Sequence, residues 1–198
     1  MRMPFDDTSD TPDDALLVLY ANGDPIAARV LADRHVARVM GYATRLLGDR
    51  AEAEDVAQEA MLRLWRIAPD WRQGEAKVST WLYRVVTNLC TDRLRSRKRR
   101  RAVGFEDAPD LADDAPGVEV TMAEKQRIAA LHDALETLPE RQRQAVVLRH
   151  IEGLPNPEIA AVMDIGVEAV ESLTARGKRA LSAALAARRA ELGYEEGN

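Results

Sequence analysis

Apolar residues recur at spacings of three and four along nearly the whole of this 198-residue chain. Residues three and four positions apart share one face of an α-helix, whereas a half-buried β-strand requires strict alternation of apolar and polar residues. The sequence contains no convincing alternating run bounded by turn residues. The pattern therefore predicts an all-α protein without strands.

Capping and breaking residues divide the N-terminal half of this pattern into helices. Asn22-Gly23 closes a first helix, Asp24-Pro25 opens a second, and Gly48 ends a third. Glycine favours the left-handed conformation that often ends a helix, and proline fits the first helical turn. The N-terminal half is therefore predicted to be a bundle of several helices.

A capping box begins the next helix of this bundle. Asp49 and Glu52 have the spacing of such a box, and the helix is predicted to run to about Ile67. One apolar stripe of this helix is predicted to pack inside, and it consists of Ala53, Val56, Ala57, Ala60, Met61, Leu64 and Ala68.

The composition changes between the two halves of the chain. Residues 104–120 are rich in Asp, Glu, Pro and Gly and poor in large apolar residues, as flexible linkers are. Their acidic side chains can simply keep the linker solvated or can mimic nucleic acid in a basic channel. The sequence predicts two small helical domains joined by a flexible acidic linker. The predicted segments are a disordered acidic N-terminus at 1–14, a helical bundle at 15–102, the linker at 103–121, a helix-turn-helix domain at 122–190 and a C-terminal tail at 191–198.

Two helices joined by a tight turn distinguish the second domain. Asn156-Pro157 is predicted to cap a short helix, and a turn at Ile165-Gly166 leads to a long helix from Val167. An ordinary helical hairpin is the alternative to a helix-turn-helix. Donors along the last helix favour DNA binding, and they are Ser172, Thr174, Arg176, Lys178 and Arg179.

Positive charge is concentrated in residues 81–101, which read WLYRVVTNLCTDRLRSRKRRR, although the whole chain has a net charge of −5. Cations supply affinity for phosphates, and aromatic rings stack on unpaired bases. The segment therefore predicts binding to partly single-stranded nucleic acid. A solvated helix end, favoured by the helix dipole, is the plainer alternative.

Other classes of function lack support in the sequence. No stretch approaches the roughly 20 apolar residues of a membrane span, and the acidic first residues do not resemble a secretory signal, so no membrane insertion and a cytoplasmic location are expected. Phosphate-binding glycine loops, metal clusters and nucleophiles with a base are not found, so no enzyme activity, catalytic residue, small-molecule substrate, cofactor or metal is expected. Cys90 is predicted to be a core residue, and His35, His132 and His150 to be exposed or partly packed.

Three segments, in order and spacing, resemble regions 2 and 4 of the group IV, or extracytoplasmic-function, sigma factors of bacterial RNA polymerase. They read EDVAQEAMLRLWR at 54–66, STWLYRVVTNLCTDRLR at 79–95 and LPERQRQAVVLRHIEGLPNPEIAAVM at 138–163. The resemblance covers residues 16–185 and implies a promoter-directing initiation factor. It also implies contacts with the β′ clamp helices and the β flap of core polymerase.

The resemblance assigns residues to three contacts. Core-polymerase contacts fall on Asp55, Gln58, Glu59, Arg63 and Trp65. Contacts with the −10 promoter element fall on Trp81, Tyr83, Arg84, Asn88, Arg93, Arg95, Arg97 and Lys98. Contacts with the −35 element fall on Arg149, Ser172, Thr174, Arg176, Lys178 and Arg179. Of Trp81 and Tyr83, one is expected to point inward, because the two lie on nearly opposite helix faces.

The sequence departs from the family pattern in the last helix. Many relatives have basic residues where this chain has Glu171 and Leu173, and a capping Ser or Pro where it has Gly166. These differences leave the promoter preference open. Glu171 either accepts a hydrogen bond from a cytosine amino group or is merely tolerated.

The family resemblance also implies regulation by a separate anti-sigma factor. Two rival functions remain open on the sequence. An autonomous repressor or activator would bind duplex tightly without polymerase and would not depend on Trp81. A helical antagonist that occupies sigma partners without initiating would not need the cations of residues 93–98.

Overall fold

The computed structural model describes residues 10–103 and 122–191, and the regular elements in these ranges are helical, as predicted. The α-helices are α1 (Asp13–Ala21), α2 (Pro25–Leu47), α3 (Arg50–Ile67), α4 (Val78–Ala102), α5 (Met122–Glu136), α6 (Glu140–Val146), α7 (Asn156–Met163) and α8 (Val167–Glu191). A 3₁₀ turn (Ala68–Asp70) follows α3, and a π turn (Val147–Ile151) continues α6.

The predicted unstructured segments lie largely outside the described residues. These segments are the acidic linker, the C-terminal tail and the start of the N-terminal segment. The N-terminal prediction was wrong at its end, because Asp13 and Asp14 form the first turn of α1. Negative side chains are favourable there because they face the positive end of the helix dipole.

Local capping sets the limits of α2 and α3. The side chain of Asp24 accepts a hydrogen bond from the backbone N–H of Ile26, and Asp49 accepts one from Glu52. Gly48 ends α2 in the left-handed conformation with φ 75°. These predicted caps are confirmed, but α2 is one continuous helix from Pro25 to Leu47. The expectation of separate second and third helices before Gly48 was therefore wrong.

The N-terminal bundle packs α1, α2, α3 and α4 around one apolar core. The whole predicted stripe of α3 is buried, and Cys90 of α4 is fully buried, as predicted. Burial raises the pKa of the Cys90 thiol to about 12. His35 is also buried, contrary to prediction, because Asp13 of α1 pairs with its ring at 2.7 Å and with Arg34 at 2.6 Å.

The C-terminal helices contain the predicted helix-turn-helix as α7 and α8. Asp164 occupies the turn in the left-handed conformation, and the apolar side chains of Ile159, Val162 and Val170 are buried in the crossing. The predicted Asn156 cap was wrong, because the helix begins without a side-chain cap. The Asn156 amide instead lies 3.4 Å from a carboxylate oxygen of Glu171 in α8.

The two modules are in direct contact. Helix α7 packs along α4, and α5 and α6 contact α2. Buried side chains of both halves, including Leu46, Leu82, Leu135 and Val147, belong to one contiguous cluster. Sequence periodicity predicted each core but did not predict that the cores merge.

Candidate nucleic-acid interface

One side of α4 presents cations and an amide to solvent. Arg84, Asn88, Arg95 and Lys98 are exposed. Their spacings of four, seven and three residues place them along one stripe of the helix. A row of guanidinium, amide and ammonium donors suits phosphate oxygens and base edges. Four of the eight predicted −10 residues are thus accessible together.

Two other cations of the predicted set are held by the protein itself. Arg97 donates to the Leu47 carbonyl at 2.8 Å and to Glu52 at 3.1 Å, and it pairs with Asp49 at 3.4 Å. Arg93 lies 3.6 Å from Asp55. These pairs fasten α4 to the end of α2 and the start of α3. A role for Arg93 and Arg97 in DNA binding stays a prediction.

Tyr83 points inward, whereas Trp81 is only half-buried. One of these two aromatic residues therefore faces the core, as expected. The Tyr83 hydroxyl donates to Glu152 at 2.5 Å, and burial, followed by this carboxylate, raises the pKa of Tyr83. Its ring packs edge-on against Tyr42. In this arrangement Tyr83 is not accessible to DNA, because its side chain is buried and its hydroxyl is bonded to Glu152.

An aromatic pocket lies at the start of α4. Trp71 and Trp81 meet edge to face with centroids 6.1 Å apart and, with the loop that carries Arg72 and Glu75, they line a pocket of about 220 Å³. The Trp71 indole N–H is buried and has no hydrogen-bond acceptor in the described chain. Aromatic walls beside a polar rim suit an unstacked base. Sequence reasoning missed Trp71, although an aromatic residue beside a predicted DNA-contacting loop was a usable signal.

The last helix presents a second polar face. Ser172, Arg176 and Arg179 are exposed, and their spacings of four and three residues place them on one stripe of α8. Lys178 is exposed on a different side of the helix. Thr174 does not join either group, because its hydroxyl is buried without a hydrogen-bond partner. The Thr174 hydroxyl is therefore not available to DNA in this structure.

A cluster of basic side chains from the π turn and α8, formed by Arg149, His150 and Lys178, lies at one edge of α8. Partial burial, and then the charges of Lys178 and Arg149, lower the pKa of His150. Arg149 is exposed, and its guanidinium donates to the Leu154 carbonyl at 3.1 Å. The two cations, Arg149 of the π turn and Lys178 of α8, give this edge a positive potential, as a phosphate site requires, and they favour the uncharged form of His150.

A largely apolar groove of about 480 Å³ lies between α2 and α3. Val36 and Leu62 are large apolar residues in its wall that are 38% and 48% exposed. Gln58 and Trp65, predicted to bind core polymerase, also line this groove. Sequence reasoning missed Leu62, whose position on the polar side of α3 could have revealed it.

The remaining predicted core-binding residues are not groove-lining. Glu59 accepts a hydrogen bond from Arg63 at 2.8 Å, and this hydrogen bond lowers the pKa of the Glu59 carboxyl. Asp55 pairs with Arg93. Asp55, Glu59 and Arg63 all lie on the outer side of α3, so charged side chains border the groove.

Two further kinds of feature are absent from the described ranges. Among residues 10–103 and 122–191, no helix combines the length and hydropathy that a bilayer crossing requires. The same ranges hold no group of three or more His, Cys, Asp or Glu side chains arranged for a metal ion.

Comparisons with known proteins agree with this arrangement. Residues 31–100 match the family described as Sigma-70 region 2, and residues 128–181 match Sigma-70, region 4. The first match covers α4 and most of the bundle, and the second covers the helix-turn-helix. The fold and both matches define a two-region protein of the sigma-70 class.

Comparison with individual relatives identifies the subgroup within this class. The chain is 33% identical over 181 residues to the RNA polymerase sigma-H factor of Pseudomonas aeruginosa, covering 87% of this chain and 93% of that one. It is 32% identical over 176 residues to the ECF RNA polymerase sigma-E factor of Haemophilus influenzae, covering 84% and 91%. The chain belongs to the extracytoplasmic-function (ECF) sigma factors of RNA polymerase. The solved structure of CnrH in complex with the cytosolic domain of CnrY superposes with a TM-score of 0.66 at 27% identity, covering 88% of this chain and 97% of CnrH.

Proposed function

We propose that this sigma factor directs core RNA polymerase to specific promoters through three separate surfaces. The α2–α3 groove binds the β′ clamp helices, α4 with its preceding loop binds separated strands at the −10 element, and α8 binds duplex at the −35 element. The observation that carries the proposal is that α4 and α8 each expose a row of donors on a side that packing does not use. In this proposal the chain acts in the cytoplasm and supplies no catalytic residue, because the chemistry belongs to the polymerase.

The groove suits a helical partner. Exposed Leu62 and Val36 offer apolar area, while Asp55 and Glu59 offer negative charge beside it. A fully covered apolar anchor at the centre of an interface contributes more binding energy than its charged rim. Leu62→Asp is therefore expected to weaken core binding by at least about 2 kcal/mol. Leu19→Asp is the matched control, because Leu19 is a similarly exposed leucine outside the groove.

The −10 surface combines stacking with phosphate contact. A base can enter the Trp71–Trp81 pocket only after it leaves the duplex stack, so this surface is specific for opened DNA. Asn88 lies on the exposed row and can hydrogen-bond a base edge. Asn88→Ala should leave core binding intact and prevent strand opening. Gln126→Ala, an exposed amide on α5, should change neither property.

The −35 surface reads closed duplex in the major groove. Arg176→Ala is expected to cost ~1–3 kcal/mol of upstream binding if the guanidinium makes a bidentate base contact. Arg127→Ala controls for the loss of one exposed cation elsewhere in the same region. The remaining surface of region 4 is proposed to contact the β flap of core polymerase.

Reconstituted run-off transcription with core enzyme on a genomic library tests all three assignments together. Gel filtration first measures whether each variant joins the core enzyme. Selective loss of core binding, strand opening and upstream recognition in the three variants supports the proposal. If the folded wild-type chain fails to bind core enzyme at low salt, the proposed function is wrong.

An anti-sigma factor is the second proposed partner. CnrH, whose structure resembles this chain at 27% identity, was solved with the cytosolic domain of CnrY. The apolar α2–α3 groove and the cationic rows offer surfaces that such a partner could bury. Proteins encoded beside this chain should include one that binds it and stops run-off transcription. The proposal of a separate inhibitor fails if none of them does so.

A further inference from the structure

An acidic side chain interrupts the donor-bearing surface of α8. Glu171 is exposed in the second turn of this helix, beside Ser172 and one turn before Ala175. The N-terminal part of a recognition helix is the part that reaches base edges in the major groove. Because α8 is proposed to bind duplex, Glu171 lies where a side chain meets either phosphates or bases.

Glu171 has an amide partner in the neighbouring helix. The Nδ2 atom of Asn156, the first residue of α7, donates to one Glu171 carboxylate oxygen at 3.4 Å. Among the residues that the structure describes, no lysine or arginine forms an ion pair with this carboxylate. A carboxylate has two acceptor oxygens, so the contact with α7 leaves the second oxygen available. Glu171 is therefore oriented by α7 without being neutralised by a cation.

A carboxylate without a cation is unfavourable beside DNA phosphates, because like charges repel. The cations of this surface lie further along α8. Lys178 follows Glu171 by seven residues on the same side of the helix, next to Arg149. Phosphate contacts therefore belong to the later turns of α8, and Glu171 belongs to the turns that enter the groove.

Base edges in the major groove offer a carboxylate two kinds of donor, the amino groups of cytosine and of adenine. The adenine amino group lies between two acceptors, its own N7 and the O4 atom of the paired thymine, and both repel a carboxylate. The cytosine amino group has the O6 acceptor of guanine on one side and the nonpolar C5–H edge on the other. Cytosine is therefore the base that suits Glu171.

The side chains around Glu171 permit this contact. Ala175 is exposed one turn later and carries only a methyl group, so it lets α8 approach the base edges closely. Arg176 donates from Nε to the Ser172 carbonyl at 3.2 Å, which draws its guanidinium toward the same part of the helix. The surface then combines a guanidinium, which suits guanine, with a carboxylate, which suits cytosine.

We infer that Glu171 is a specificity-determining residue of region 4, which selects cytosine at one position of the −35 element by accepting a hydrogen bond from the N4 amino group. Asn156 acts as a positioning residue for the Glu171 carboxylate. The inference rests on the proposed binding of α8 to the −35 element. A glutamate that is merely tolerated would only repel DNA, so its removal would tighten binding to every sequence alike. Removal of a base-reading glutamate instead abolishes one base preference.

Selection from a promoter library with a randomised −35 element separates these two outcomes, with holoenzyme assembled from core enzyme and the full chain. Wild type should prefer cytosine at least about fivefold at one position, and Glu171→Ala should lose this preference while the other positions keep theirs. Asn156→Ala should reduce the same preference only. Asp33→Ala removes an exposed carboxylate on α2, controls for net charge and should keep the wild-type pattern.

A modified base tests the hydrogen bond itself. N4-methylcytosine still pairs with guanine, but a methyl group replaces the amino hydrogen that faces the groove. At the selected position it should weaken binding of wild-type holoenzyme at least about fivefold and leave binding by Glu171→Ala unchanged in mobility-shift assays. The inference is overturned if wild type shows no cytosine preference that depends on Glu171, or if both proteins respond equally to the methyl group. Failure of wild type to bind core enzyme would instead refute the proposed sigma function.

Discussion

Arg95 and Arg97 lie two positions apart in the basic end of α4 but have different surroundings. Arg97 is 22% exposed and contacts Asp49, Glu52 and the Leu47 carbonyl, whereas Arg95 is 69% exposed and lies 4.0 Å from Asp92. The partners of Arg97 are 45 to 50 residues away in the chain. Sequence reasoning could therefore find the cluster of cations but not which of them serve the fold.

This difference predicts unequal effects on stability. Arg97→Ala should lower the free energy of unfolding by about 1–3 kcal/mol, because it leaves partly buried acceptors without their charged donor. Arg95→Ala should change it by less than about 0.5 kcal/mol, as exposed pairs contribute little. Urea denaturation followed by circular dichroism measures both. Equal losses in the two variants would contradict the structural role of Arg97.

His150 is expected to make the proposed −35 binding depend on pH in a defined direction. Its pKa in the free protein lies below the usual value of about 6.5, because of partial burial and then Lys178 and Arg149. Phosphates bound at this edge would offset those charges and raise the pKa. The complex then binds more protons than the free protein in the window between the two pKa values, so affinity rises as pH falls through that window.

Fluorescence anisotropy with −35 duplex should show tighter binding by wild type at pH 6 than at pH 7.5. His150→Gln should remove most of this change while keeping an uncharged polar side chain. The same pH dependence in His150→Gln would show that another group takes up the proton.

At the scale of elements, Gly177 lets α8 approach α6. A Cβ atom at this position would lie 2.6 Å from a methyl of Val146 and 3.1 Å from the Gln142 carbonyl oxygen. Gly41, in the interior of α2, is different, because a Cβ atom there would meet only the flexible end of Arg45. Both glycines lie inside helices but differ in the space around them, so Gly41 is a matched control for Gly177.

Gly177→Ala should destabilise the protein by about 1–3 kcal/mol, because overpacking against backbone exceeds the gain in helix propensity. Gly41→Ala should instead stabilise it by up to about 1 kcal/mol. Thermal denaturation of the two variants gives the sign directly. A stabilised Gly177→Ala would mean that α6 and α8 can separate without cost.

Most helices could be predicted because their signals are local. The buried stripe of α3 and the Asp49 cap follow from spacing within a few residues. Errors arose where tertiary contacts overrode such signals. The Asn156 amide lies beside Glu171 in the next helix, and His35 is buried because α1 supplies Asp13.

For the whole molecule, the sequence predicted two domains but not their contact. The residues that join them are polar, and the sequence analysis assigned none of them to a contact between the domains; they are Tyr83, Arg45, Lys77, Glu152 and Glu158. Helical periodicity identifies a buried face only by its apolar residues. A polar interface between distant segments therefore leaves no periodic signal, and the covered side of α4 could be seen only in the structure.

Because the two cores are contiguous, both modules should unfold together. Differential scanning calorimetry of wild type should show one transition with equal calorimetric and van't Hoff enthalpies. Glu152→Ala removes the contacts with Tyr83 and Arg45 at once, so region 4 should melt at lower temperature and the transition should split. Glu168→Ala, at an exposed carboxylate on α8, should keep the single transition. Two separate transitions in the wild type would show that the modules fold independently and that their contact contributes little to stability.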